Sequence, residues 1–454
     1  MSQPITTASA SLTVRLADRI ATSDPLSSAE AVAASRTGLL DFLACAVAGA
    51  DDPALAILLD TLPPVPGDAV LIGRGRRADG FTAALANGHA GHALDFDDVH
   101  ASVRGHPSTV LLPALLAAAP GSEADAKEFL AAYIVGVETM ARLGLALGSR
   151  HYEIGFHATA TLGTIGAAAA VARLRRLDVG RIAVALGLAA TQSAGLRLQF
   201  GSDAKPLHAG LAARAGLTAA LLAERGFGGA ADFLDGPVGF FSCFAAGAER
   251  PERVLDGWGA PWQIVSPGLI LKEFAFCTAA HCAAEAILGL IADHDIDPQR
   301  ILRVTATFPP GGDAALVVRT AEDGITGRFS VEYVIATALL RRDLGLAHFG
   351  AVPVPDDVRT LAARVERRHD ETAPRMSNDP ATRFTEVTIH LHDGHTLSRR
   401  IDHIRGVQDP AAKFADAANG AAHLAGVPAL TAAMESRSDL LGLLESLGRE
   451  SRSQ

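Results

Sequence analysis

Residues 88–109, GHAGHALDFDDVHASVRGHPST, hold four histidines (His89, His92, His100, His106) and three aspartates (Asp95, Asp97, Asp98) in a chain that is 49% apolar. Such a cluster suits proton transfer beside a bound anion, or metal ligation, or a solvated helix end. On a helix, Asp95 and Asp98 lie three apart and share a face with His92 and Val99. Gly105-His106-Pro107 breaks the chain, and Ser108 is placed to cap the next helix. His106 then stands just before a helix N-terminus, where anions collect. His89, His92, Asp95 and His100 are the possible metal ligands, although their spacing matches no specific motif such as HExxH.

Other residues carry further chemistry. His157 lies in EIGFHATATLG, on a Gly/Thr-rich approach to an Ala-rich helix. Only four of the 40 basic residues are lysine: Lys127, Lys205, Lys272 and Lys413. Arginine does not replace a compact, titratable ammonium, so each lysine stands out. Lys205 precedes a proline at the start of a helix, well placed to hold a carboxylate. Lys272 falls at a change of sequence texture. Cys277 and His281 are four apart in LILKEFAFCTAAHCAAEA, but form no known thiol-nucleophile signature. Tyr333, one of three tyrosines, follows Arg328 in TGRFSVEYVIATALL.

The elements that must position these groups divide in two. Residues 1–268 read as helix after helix, with a capping box expected at Ser27 and Glu30. After residue 269, QRILRVTATFPP alternates as a strand, and RFTEVTIHLHDGHTLSRRIDHI reads as a hairpin turning at Asp393-Gly394. SVEYVIATALLRR and DDVRTLAARVERRHD read as helices between them. The expected architecture is mainly α: a large all-α domain (1–268, completed by C-terminal helices 405–454) and a smaller α+β lid domain (269–404). A ligand pocket is expected between them.

Composition narrows the partners. The formal net charge of -10 argues against nucleic acid. No uninterrupted apolar run reaches the ~18 residues of a membrane span. The N-terminus lacks the apolar core of a secretory signal, and the four cysteines show no disulfide framework, so a cytoplasmic location is expected.

The order of HALDFDDVH…GHPS, GFHATATLG, KPLHAGLAARAGLTAALLAERGF, LKEFAFCTAAH, RFSVEYVIATAL and TIHLHDGHTLS resembles the MmgE/PrpD family. That family includes 2-methylcitrate dehydratase, cis-aconitate decarboxylase and iminodisuccinate epimerase. The resemblance spans about residues 30–430. It implies a homodimer acting on a small polycarboxylate, with no metal and no organic cofactor. By position it implies an active site of Asp95, His106, His157, Lys205, Lys272 and Tyr333. Val99 departs from the pattern, standing where decarboxylase-like members have threonine. In the expected mechanism Lys205 and Lys272 hold substrate carboxylates, His106 and His157 exchange protons, and Asp95 orients a histidine and raises its pKa. The leading expectation is a cofactor-independent hydro-lyase resembling 2-methylcitrate dehydratase. Alternatives are an epimerase, a cis-aconitate-type decarboxylase, a metal-dependent hydrolase and a non-catalytic scaffold.

Overall fold

Residues 11–230, 232–377 and 379–449 are described by the computed structural model. Alanine and leucine run through the first half with a polar residue at each helix start, and the helices begin where those caps fall. Asp79 accepts from the N–H groups of Phe81 and Thr82 and opens helix Gly80–His92. Asp125 and Glu128 form a reciprocal box at the start of Ala126–Leu147. The box expected at Ser27 and Glu30 does not form: Ser28 alone caps Ala29–Ala48, accepting from the Ala31 N–H, while Ser27 lies in a short 3₁₀ turn.

These helices bury one apolar core, which also takes in Phe414, Leu424 and Leu440–Leu447 from the C-terminal end. Helices Ala29–Ala48 and Ala126–Leu147 are long and apolar enough to cross a membrane by composition alone, and the second is almost wholly buried in this core. A small antiparallel hairpin, β1 (Ala69–Leu71) with β2 (Arg76–Ala78), interrupts the helical half. Nothing in its short strands stood out in the sequence.

One close crossing sets the site. Gly88 in Gly80–His92 faces Gly210 in Ala204–Glu224, where an added Cβ would fall 2.7 Å from the partner's Cα. Only glycine permits that approach. It brings Lys205, at the start of one helix, against the loop that follows His92 at the end of the other.

A second apolar core occupies residues 276–389. It lies on a four-stranded sheet of order β4-β3-β5-β6. β3 (Ile301–Phe308) runs parallel to β4 (Val365–His369) and antiparallel to β5 (Thr385–Leu391), which pairs with β6 (Thr396–Ile401). Val304 stands between Val365 and Ile389 in register. Helices His281–Asp293 and Val331–Arg341 cover this face. The turn between β5 and β6 holds Asp393 and Gly394, whose φ is +89°. DDVRTLAARVERRHD is half helix and half strand: Asp356–Ala362 is helical and Val365–His369 is β4. Parallel pairing with β3, a long-range contact, overrides the helical pattern there.

The candidate active site

The loop after His92 builds the centre. Asp95 adopts φ +49°, a left-handed conformation uncommon outside glycine and tolerated best by Asn and Asp. Its carboxylate Oδ1 accepts from Lys205 Nζ at 2.9 Å and from Lys272 Nζ at 2.6 Å. Lys272 Nζ also donates to the Asp95 carbonyl at 2.8 Å, fixing the unusual backbone. Burial pushes the Asp95 carboxyl up, but Lys205 and Lys272 overcome it and hold the group well below the usual range. Asp95 is therefore an anion locked between two cations.

His106 Nδ1 lies 2.8 Å from the Asp98 carbonyl. A carbonyl only accepts, so Nδ1 carries the proton and Nε2 holds the lone pair. Nε2 stands 3.8 Å from Asp95 Oδ1, and Nδ1 is 3.5 Å from Asp97 Oδ2. Asp97 accepts from His92 Nδ1 at 2.9 Å. His157 Nδ1 pairs with His208 Nδ1 at 3.1 Å, leaving its Nε2 without a partner among the described residues. Desolvation lowers His106 and His157 well below the ordinary imidazole value, and Lys205 adds to the effect in both. Both are neutral in the free protein at pH 7.

Asp98 faces the other way. Its Oδ2 accepts from the Ser108 hydroxyl, which also meets Tyr133. Burial pushes its carboxyl up to about 8. Lys413 donates to Asp41 (2.7 Å) and to the carbonyls of Phe96 (2.8 Å) and Lys272 (3.1 Å). Three of the four lysines thus converge on one loop, while Lys127 pairs with Glu435 at the surface.

A cavity of ≈ 670 Å³ opens beside this loop. Asp95, Val99, His106, His157 and Lys205 line it from the helical part, and Cys277, Gly311, Phe329 and Arg383 from the sheet-bearing part. Val99 is held by reciprocal 2.9 Å backbone hydrogen bonds to Ile270. The structure places some of the expected residues away from the cavity wall. Lys272 is fully buried behind Asp95, to which its ammonium donates, and it does not line the cavity. Tyr333 is also absent from the wall: its hydroxyl donates to the His348 carbonyl at 2.6 Å, inside the second core. Asp95 is held chiefly by the two lysines, yet its charge also acts to raise His92, against the larger effect of burial, and it stands 3.8 Å from His106 Nε2. The shorter contacts that orient His92 and His106 come from Asp97 and from the Asp98 carbonyl.

The expected metal set is dispersed. His89 turns to Asp52 (3.2 Å) and His100 to the Gln263 carbonyl (2.9 Å). His92, Asp95, Asp97 and His106 do approach one another within 4.8 Å. A dication there would meet the carboxylates of Asp95 and Asp97 but also the ammonium groups of Lys205 and Lys272, which already hold Asp95. Cys277 and His281 also go separate ways. Cys277 reaches the cavity with its thiol pushed up by burial, and His281 Nε2 bonds the Phe276 carbonyl at 3.2 Å.

The sequence reading passed over Arg104, Tyr152, Phe200, His208 and Arg383. All but His208 line the cavity, and His208 holds His157.

Residues 14–252 match the MmgE/PrpD N-terminal domain, and residues 274–421 match the MmgE/PrpD C-terminal domain. The chain belongs to the MmgE/PrpD family. Among curated proteins it is similar to a cis-aconitate decarboxylase of Aspergillus terreus, 28% identical over 398 residues, which cover 82% of this chain and 80% of the relative. Cis-aconitate decarboxylases of Mus musculus (29% over 339 residues, 71% and 67%) and Homo sapiens (28% over 337 residues, 71% and 68%) are also similar. This MmgE/PrpD chain is thus an enzyme of a family that acts on small polycarboxylates.

Proposed function

We propose that this enzyme is a cofactor-independent lyase that decarboxylates an unsaturated polycarboxylate resembling cis-aconitate. The observation that carries the reading is His106 Nε2 in a cationic cavity, its tautomer fixed by the Asp98 carbonyl. In such a substrate one carboxylate sits on the carbon next to the double bond. The C–CO2 bond breaks, and its electron pair forms a new double bond. The old π pair moves to the carbon beside another carboxylate and takes a proton there. Lys205 stabilises the enolate-like charge that builds on that carboxylate. His106, protonated as the anion binds, delivers the proton through Nε2, with Asp97 and Asp95 flanking the imidazolium. His157 Nε2 is left free to bind a substrate oxygen.

Dehydration of a 2-methylcitrate-like acid is the second reading, and Val99 favours it. An apolar side chain on the cavity wall suits a methyl group better than a polar one. A panel of citrate, 2-methylcitrate, cis-aconitate and iminodisuccinate, followed by proton NMR and CO2 release, separates the readings. CO2 from cis-aconitate is expected, with activity unchanged by a chelator. Turnover of methylcitrate without CO2 would replace decarboxylation by dehydration, and loss of turnover on chelation would return the metal. A homodimer belongs to this proposal, and light scattering should give twice 46.9 kDa.

A further inference from the structure

The cavity has one carboxylate on its wall, Asp95, against three cations, Arg104, Lys205 and Arg383. Lys205 shares its charge with Asp95 at 2.9 Å. The two arginines do not. Arg104 lies over the Tyr152 ring, 4.0 Å from its centroid, and Arg197 flanks the same ring at 3.8 Å. Arg197 is occupied, donating to the carbonyls of Tyr152 (2.9 Å) and Ala314 (2.8 Å). Among the described residues, no acceptor takes a hydrogen bond from the side chain of Arg104 or Arg383, and no acid pairs with either. Glu153, next to Tyr152, is engaged by Arg375 at 3.7 Å.

A half-buried guanidinium without a counter-ion is costly to keep. Two of them on the wall of one cavity offer an anion two planar forks that match a carboxylate. Their origins differ. Arg104 comes from the turn that precedes His106, held at φ +53° by its N–H bond to the His100 carbonyl. Arg383 comes from the segment leading into β5, in the sheet-bearing part.

We propose that Arg104 and Arg383 form a second carboxylate subsite, so that the substrate bridges the two halves and carries a carboxylate besides the one at the reacting carbon. This rests on the polycarboxylate reading above and narrows it to acids with a further, remote carboxylate.

Calorimetric titration of the full-length protein tests this apart from turnover. The probes are propane-1,2,3-tricarboxylate and the monocarboxylate butyrate. The wild type is expected to bind the tricarboxylate at least tenfold more tightly. R383M and R104M should each weaken the tricarboxylate by about 10–100-fold, the scale of a charge-assisted contact, and change butyrate little. R383K should recover part of the loss. An unchanged preference in either folded variant, or a wild type that binds both acids equally, overturns the subsite. The wild-type comparison decides even where a variant fails to fold. Arginine-dependent binding without CO2 release from cis-aconitate would sink the reaction and keep the subsite. Turnover with unchanged KM in both variants would do the reverse.

Discussion

Asp95→Asn is the most informative single perturbation. The carboxylate is buried, and two ammonium groups lie 2.6 and 2.9 Å from one oxygen. Removing one partner of a buried ion pair costs ~3–5 kcal/mol. Here two charges lose their counter-ion, so the upper end applies, and asparagine directs at best one acceptor at them. At ~2.1 cal/mol/K per residue over 454 residues, a loss of ~5 kcal/mol lowers Tm by about 5 °C. Because the Asp95 pKa is depressed in the fold, its contribution is present above the unfolded carboxylate pKa and is lost only as pH falls through the folded value. The penalty should therefore be full at pH 7. Turnover should fall about 10²-fold or more, since Lys205 and the His106 loop both move. The assay is differential scanning calorimetry with and without propane-1,2,3-tricarboxylate. The added anion should stabilise the variant more than the wild type, because it supplies the missing charge. The double variant with Lys205→Met should regain part of the loss. A variant with unchanged Tm and turnover within a few-fold would refute the locked-anion account.

Three further outcomes follow from the same geometry. kcat/KM reports the free enzyme, in which His106 is depressed below the ordinary imidazole value; if it donates a proton, kcat/KM falls as pH rises through that low value, and a rise instead would make it a base. Val99→Thr restores a hydroxyl on the cavity wall and should raise kcat/KM for cis-aconitate by ~2–10-fold; a loss there, with methylcitrate turnover in the wild type, would favour dehydration. Lys413→Met strips the fully buried Asp41 of its cation and should cost ~3–5 kcal/mol in urea unfolding with a smaller effect on KM, since Lys413 does not line the cavity; unchanged stability would contradict this.

The sequence was legible where a residue type was rare or a pattern local. Lysine scarcity marked Lys205 and Lys272, and the histidine-aspartate density marked the loop that holds His106. The hairpin at Asp393-Gly394 showed itself in alternation and turn chemistry. Arg104 and Arg383 carried no such mark, because arginine supplies nearly all the positive charge of the chain, and only the fold shows that among the described residues no acid pairs with either. Lys413 had the same rarity as the other lysines, but only the packing of helix Pro410–Ala418 on Ala29–Ala48 shows that it reaches Asp41. Tyr333 misled for the opposite reason. Rarity marked it, yet its hydroxyl serves the second core. β4 was hidden because its pairing partner lies some sixty residues away in the chain.

The central claim is that a proton goes to carbon as CO2 leaves, with His106 as its carrier. Incubating the enzyme with cis-aconitate in deuterated water and reading the product by NMR tests it directly. The account predicts CO2 release with one deuterium at the methylene beside the carboxylate, and loss of both in His106→Asn. Deuterium exchange or water transfer without CO2, or full turnover in His106→Asn, would contradict it.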